Sequence, residues 1–382
     1  MKKVAIVTLF HGNYNFGGQL QAYALQKVIA GYGIECEVVN YHPRNKYKRI
    51  RVLKFSVVIF RFYHKAQFKI HVLTSKKLKQ DFKKKSELFE SFMREIPQTK
   101  EYCDDMLSDI KDRYDYWISG SDQVWNPEIF YGAPLYLLKG VQGKKISYAA
   151  SSSNAYYNKK QTEELKISLS DFTALSCREE ALTNAIHRVT EKEVFTVLDP
   201  TLLPDSKAWD ELSIKPDVDE KYAFVYLIHA SDIARKNIYY YCHKHNLKMI
   251  IVPHAQGWYK SAEEKYYDIQ ATAIGPKEWI GYIKYAEIVF TDSFHGTIFS
   301  VNYHKNFISF EKLTGNEEVD VQSRKYSILK QLSLLERCVP YSFDLEDRIV
   351  KTDIDYSMAD KVMKELRTSS EDFLKKALDI EG

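Results

Sequence analysis

No stretch of 18 consecutive apolar residues occurs in this 382-residue chain, so no segment reads as a membrane-spanning helix. Its five cysteines, Cys36, Cys103, Cys177, Cys242 and Cys338, are scattered and form no CxxC pair. That spacing argues against a structural zinc and for a reducing, cytoplasmic setting. The run Cys242-His243-x-His245 has ligand-like residues, but it falls inside a predicted helix and is read as coincidence. The expectation is a protein with no metal and no cofactor. The glycine-rich turn HGNYNFGGQLQAYAL lacks both GxGxxG and the GKS/T of a phosphate-binding loop, which disfavours NAD and ATP. There is no internal repeat and no low-complexity tract. The opening MKKVAIVTLF has an apolar part too short for a signal peptide and reads directly as a strand.

What the chain does have is aromatic side chains and one concentrated block of positive charge. Aromatics make up 14%, including 28 tyrosines, which suits stacking on sugar rings and equally suits an ordinary core. The net charge of +4 hides an asymmetry: residues 44–85 hold 15 Lys/Arg against one acid, Asp81, so the rest of the chain is net acidic. Inside this block lies VLKFSVVIFRFYHKAQF, apolar and aromatic with cations on its flanks. One reading is an amphipathic helix resting on an anionic membrane surface. Another is a solvated helical hairpin packed by one face on the first domain. Nucleic acid is set aside, because no recognition motif accompanies the charge.

At this length two domains are expected. Strand and helix signals alternate throughout. Val4–Phe10, Ile34–Asn40, Tyr116–Ser119, Ile146–Ala150, Thr173–Ser176 and Val194–Leu198 read as strands of the first half. Tyr222–Ile228, Met249–Pro253, Ile288–Thr291 and Phe307–Phe310 repeat the pattern, and a helix from about 357 to 378 ends the chain. Such alternation indicates parallel sheets with helices on both faces, an α/β protein. Between Asp205 and Lys221 the composition turns polar and loses periodicity, placing a boundary there. We therefore expect two Rossmann-like domains facing a cleft. Residues 1–210 form the first, with a basic amphipathic insertion at about 44–95, and 211–382 the second, with the terminal helix.

The most informative stretch is EIVFTDSFHGTIFS, residues 287–300. A short apolar strand runs into Thr291, Asp292 and Ser293 and then into a helix. Such a junction presents backbone N–H groups and a positive helix end to an anion. His295 sits in the first turn, where an imidazole transfers protons near neutral pH. Asn15, at the carboxyl end of the first strand, can hold a sugar hydroxyl. ISGSDQVWNP crowds Ser121, Asp122, Gln123 and Asn126 into one loop at a strand's carboxyl end, or else forms an Asx or capping turn plugged by Trp125. In LSCREE, Arg178 offers a fork for a carboxylate or phosphate, with a salt bridge to Glu179 or Glu180 as the alternative. LDPTLLP reads as a structural turn before the linker.

Taken in order, these motifs resemble the polysaccharide pyruvyl transferases over nearly the whole chain. The resemblance rests on the NxGxxLQxYAL-type start, GSDQVWNP, SYAASS, SCREE, VLDPTLL, the GPKEWIGYIKYAEIVFTDSFHGTIFS block and SRKYSILKQLSLLER. It implies a fold similar to the two-domain GT-B glycosyltransferases. It also implies transfer of the pyruvyl unit of phosphoenolpyruvate onto two hydroxyls of one sugar, as a cyclic ketal. Donor binding is implied for the second domain, through Ser293, His295, Gly296 and Thr297. His295, Arg178 and Asn15 fall on the family's histidine, arginine and asparagine. Members reading R-x-H-G carry an arginine where this chain has Ser293, so Lys312 and Arg324 are candidates to bind the donor's remaining charge. Asp122, or the phosphate itself, would serve as base, and Asn15, Ser121, Gln123 and Asn126 would hold the acceptor. Such ketals decorate capsules, exopolysaccharides and secondary cell-wall polymers. If the acceptor is a lipid-linked repeat unit, the basic aromatic segment gains a purpose: holding the enzyme on the inner membrane leaflet. The competing readings are a nucleotide-sugar glycosyltransferase of the same architecture and a non-catalytic polysaccharide-assembly scaffold.

Overall fold

The computed structural model describes residues 2–43, 55–130, 133–152, 155–229, 232–253, 261–313, 320, 323–346, 350 and 352–380. The most basic stretch, 44–54, lies outside them. The chain divides into two compact units. Met1–Phe55, Met93–Pro204 and Lys364–Gly382 make the first, and Ser56–Phe92 with Asp205–Met363 the second.

The first unit is built on six strands: β1 (Lys3–Val7), β2 (Glu35–Val38), β3 (Tyr116–Ser119), β4 (Lys144–Ser147), β5 (Phe172–Cys177) and β6 (Val194–Thr196). They pair in parallel in the order β2-β1-β3-β4-β5-β6. Every residue of Tyr116–Ser119 is buried, as expected of a parallel strand covered on both faces. Ala5, Val7, Trp117, Leu165, Phe172 and Ile186 share one hydrophobic cluster. The chain leaves β1 to one side for β2 and then returns to the other side for β3. The topological switch point, where open parallel sheets bind ligands, therefore lies between β1 and β3.

The second unit repeats the plan with β7 (Tyr222–Tyr226), β8 (Lys248–Ile251), β9 (Ile269–Gln270), β10 (Ile288–Thr291), β11 (Asn306–Glu311) and β12 (Cys338–Pro340). Their order is β12-β11-β10-β7-β8-β9, again parallel. Counted from its own first strand this is 3-2-1-4-5-6, the order of dinucleotide-binding domains. Its switch point lies between β7 and β10. Helix Pro276–Tyr285 packs closely enough that a Cβ on Gly281 would stand 1.8 Å from the Ile214 carbonyl oxygen, so only glycine fits.

Two segments belong elsewhere than chain order suggested. Helices Phe55–Thr74 and Lys76–Arg94 form the expected hairpin, with Phe68 and Phe82 packed edge to face. Residues 56–92 group with the second unit instead of the first: His71 pairs with Glu264 at 3.0 Å, and Leu88 lies against Gly275. The terminal helix Ser357–Ala377 starts in the second unit, but from Lys364 onward the chain belongs to the first. There Ser370 Oγ accepts from Leu198 N at 3.0 Å, and Arg367 Nε donates to the Leu202 carbonyl at 2.7 Å. Periodicity reports which face of a helix is apolar, not which core receives it. No described helix is long and apolar enough to cross a membrane.

Candidate active site

In the first unit, four of the sequence motifs meet in one buried polar cluster at the carboxyl ends of β3, β4 and β5. Arg178, one residue past β5, is its centre, with its side chain 2% exposed. Its Nε donates to Glu179 Oε1 at 2.9 Å, one terminal nitrogen to Asp199 Oδ2 at 2.6 Å and the other to Ser151 Oγ at 2.8 Å. Ser151 Oγ in turn donates to Glu179 Oε1. Asp199 Oδ1 accepts from Thr201 N and Oγ1, and Ser121 Oγ donates to the Ala149 carbonyl beside Asp199 Oδ2. Burial alone would push the guanidinium down, but Glu179, Asp199 and Asp122 hold it charged and above its usual range. Of the two readings of Arg178, the structure holds the salt bridge: its fork is closed on Glu179 and Asp199. A donor role would require exchanging those partners.

The GSDQVWNP loop is organised around this cluster. Ser121 is fully buried, and its carbonyl accepts from Thr8 Oγ1. Asp122 has φ 67° and ψ −173°, a backbone region left almost entirely to glycine, at a cost of about 1–3 kcal/mol. Its carbonyl accepts from Ser151 N. Gln123 accepts from Asn126 Nδ2, Asn126 Oδ1 accepts from Glu128 N as an Asx turn, and Trp125 is buried in the core. The capping-turn alternative is thus also present, built on the same residues. Asn15 is exposed and caps helix Phe16–Gly31, accepting from Gly18 N at 3.0 Å.

Two glutamines that sequence reasoning passed over set the β1 loop. Gln19 donates to the Phe10 and Asn13 carbonyls, and Gln21 to Thr8 Oγ1. The available signal was two glutamines at the start of an otherwise apolar helical stripe, QLQAYAL.

In the second unit the expected strand–cap–helix junction is present at the switch point. Ser293 is the N-cap of helix Phe294–Asn302, its Oγ accepting from Gly296 N at 3.3 Å. A Cβ on Gly296 would meet Thr291 Oγ1 at 2.4 Å, so this glycine lets the helix start against β10. Thr297 is turned inward, its Oγ1 bonded to the Ser293 carbonyl and to Ser309 Oγ. His295 is the second residue of the helix and 8% exposed, its ring edge-on to Phe294 at 5.3 Å.

Asp292 ties the two sides of the switch point together. Its carboxylate accepts from Ile228 N at 2.5 Å, His229 N at 2.6 Å and Tyr341 Oη at 3.1 Å. Of the two proposed cations, Arg324 stands over the Phe294 ring at 5.5 Å, one helix start facing another. Lys312 follows β11, and its backbone N donates to Glu311 Oε1. The cation that reaches the β10 turn is Lys325, whose Nζ donates to the Asp292 carbonyl at 2.7 Å and to the Phe310 carbonyl at 2.5 Å. It lies 3.4 Å from Glu311. Burial pushes the Glu311 carboxyl up, but Lys325 and hydrogen bonds from Ser323 and Lys312 N outweigh it and hold it below its usual range. Lys325 was legible only as part of the SRKYS motif, where its neighbour Arg324 drew the assignment.

A family profile described as polysaccharide pyruvyl transferase matches residues 15–311. The chain belongs to the polysaccharide pyruvyl transferase family. It is therefore a transferase acting in polysaccharide biosynthesis. Among solved structures it is similar to a putative UDP-N-acetylglucosamine 2-epimerase from Listeria monocytogenes. That match has 9% identity and a TM-score of 0.51, and covers 98% of each chain. It is also similar to the UDP-GlcNAc 2-epimerase of Methanocaldococcus jannaschii, at 12% identity and a TM-score of 0.47 over 96% of this chain and 100% of that one. At 9% identity the first likeness speaks for the fold alone, a GT-B-like pair of Rossmann-like domains. A search of curated proteins matches none.

Replacing Arg178 by Ala strands Glu179 and Asp199 as buried, uncompensated charges. We expect a loss of about 3–5 kcal/mol of stability in urea unfolding, with or without substrate; an unchanged midpoint would show that the cluster does not carry the fold. At Glu311 the lowered folded-state pKa contributes stability that is fully present above its ordinary value and lost as pH falls through the lowered one. In Lys325→Met the carboxyl should titrate at higher pH by NMR, and acid destabilisation should begin at higher pH. An unmoved Glu311 titration would remove Lys325 as its counter-charge.

Proposed function

We propose that the enzyme moves the pyruvyl group of phosphoenolpyruvate onto two hydroxyls of one sugar in a surface polysaccharide or its lipid-linked precursor, forming a cyclic ketal. The observation that carries the reading is the position of His295. It stands in the first turn of the helix leaving β10, at the switch point of a 3-2-1-4-5-6 sheet, in a chain of this family. Phosphoenolpyruvate carries a carboxylate and a phosphate on adjacent carbons and needs two anion-binding centres. The start of helix Phe294–Asn302 supplies one, with Ser293 fixing its first turn. Arg324, over Phe294 at the start of the next helix, supplies the other charge that relatives draw from an arginine at the Ser293 position.

His295 then acts as general acid. Its proton goes to the methylene carbon, C2 becomes oxocarbenium-like, and a sugar hydroxyl attacks. A second hydroxyl displaces phosphate and closes the ketal, each hydroxyl losing its proton to base. Asp122 is the proposed base, held in its strained backbone conformation at the first domain's own switch point. Arg178 serves this reading as the group that positions the Asp122 loop.

The basic hairpin supports a location for the acceptor. In helix Phe55–Thr74, Tyr63, Ile70 and Leu73 lie on one helical face and are 60%, 61% and 61% exposed. An exposed apolar stripe on the same helix as the exposed Lys69 fits an anionic membrane surface, where a lipid-linked sugar would be presented.

His295→Ala should fold normally and lose on the order of 10²–10⁴ in turnover, measured as phosphate released from phosphoenolpyruvate across galactosides, glucosides and N-acetylmannosaminides. Wild-type turnover in the purified variant would sink the acid role, and no phosphate release by the parent enzyme on any sugar would sink the reaction. For the hairpin, co-sedimentation with phosphatidylserine vesicles at low salt should be seen for the parent protein and lost in an Ile70→Glu, Leu73→Glu double variant. Absence of binding in the parent removes the membrane assignment.

A further inference from the structure

Three side chains outside the proposed chemistry converge beyond the carboxyl ends of β1 and β2. His11 follows β1, His42 follows β2, and Glu101 comes from the segment running alongside. Their ligand atoms all lie within 4.8 Å of one another. His11 Nε2 stands 3.8 Å from Glu101 Oε1, and His42 Nδ1 stands 3.4 Å from that same oxygen. Both separations are too long for good hydrogen bonds. They are close to the spacing of ligand atoms around a tetrahedral ion, about 3.3 Å for bonds of 2.0–2.1 Å.

The surrounding hydrogen bonds dictate which nitrogen of His11 points at Glu101. Gln98 Nε2 donates to the Met93 and Ile96 carbonyls, so its Oε1 accepts from Asn40 Nδ2 at 3.2 Å. That orients the Asn40 amide with Oδ1 toward His11, 2.8 Å from Nδ1. His11 Nδ1 therefore donates to Asn40, and Nε2 is the ring nitrogen that faces the carboxylate oxygen. A ring nitrogen and a carboxylate oxygen turned toward each other at this distance can share one cation. The backbone fixes the other two residues: His42 N donates to the Tyr102 carbonyl at 2.7 Å, and Tyr102 N to the Asn40 carbonyl at 2.9 Å.

We propose that His11, His42 and Glu101 form a site for a divalent transition-metal ion of the zinc class. Two imidazoles and one carboxylate suit such an ion, and three protein ligands leave a fourth position open. Both histidines line a cavity of about 340 Å³ that also presents Asn13, Tyr41 and Tyr136. The open position takes an oxygen ligand from this cavity, water or a hydroxyl. Residues 11, 42 and 101 are too far apart in sequence to register as a spacing motif, which is why a reading of the chain expects no metal.

The test is calorimetric titration of the metal-stripped full chain with Zn²⁺ and with Co²⁺, the latter followed also by its visible absorption. One equivalent should bind, with the absorption of a four- or five-coordinate cobalt centre, and His11→Ala, His42→Ala and Glu101→Gln should each weaken binding at least about tenfold. Asn40→Ala, which frees the His11 ring, should weaken it about 10–100-fold, and Asn40→Asp, which still accepts from Nδ1, should restore it. Unchanged far-ultraviolet circular dichroism and metal-free melting in these variants separate ligand loss from unfolding. No stoichiometric binding in the parent chain, or binding retained in the three ligand variants, overturns the site. Because metal binding is read without turnover, that result leaves the pyruvyl-transfer reading untouched.

Discussion

The carboxyl edge of the first sheet depends on one buried guanidinium. Taking a positive charge and two carboxylates out of water costs several kcal/mol for each ion, and attraction offsets this only where the geometry is good. Around Arg178 it is good: three of its nitrogens reach Glu179, Asp199 and Ser151 within 2.6–2.9 Å. Each partner belongs to a different turn. Ser151 follows β4, Glu179 opens the helix after β5, and Asp199 opens the turn after β6, with Ser121 after β3 reaching the same carboxylate. Four loops that share no sequence neighbourhood are thereby held in one arrangement, and Asp122 is kept in a backbone conformation it would not adopt alone.

The second domain solves the same problem with the opposite charge. Asp292 draws in two backbone amides from the loop after β7 and the hydroxyl of Tyr341. Here a carboxylate is held largely by backbone N–H dipoles and a tyrosine hydroxyl. Lys325 bridges the β10 and β11 turns through carbonyl oxygens, while Arg324 stays over Phe294 beside His295. The net effect is a helix start with positive charge gathered near it.

The sheet-forming segments and the TDSFHG junction were legible because their signals are local. Val289 and Phe290 are apolar, Ser293 is a good cap, and Gly296 permits the close start. The motifs were legible one at a time, but their convergence was not: nothing in SCREE says that Arg178 faces Asp199, 21 residues on, and not solvent. The same limit hid Lys325 behind Arg324, since adjacent helical residues point about 100° apart and only packing tells which one faces in. It also misassigned the hairpin and the terminal helix, whose amphipathic faces do not name the domain that covers them.

The order in which the chain visits its domains bears on how it is made. Leu198 N meets Ser370, and the Leu202 carbonyl meets Arg367, 172 and 165 residues further along the chain. At about 5–20 residues per second of synthesis, that interval is on the order of ten to thirty seconds. During it the second domain's longer segment, 205–363, is made, while the first domain's β6 turn still lacks its last partners. The domain whose strands are made before the other's is thus the one closed later, and helix Ser357–Ala377 works as its latch.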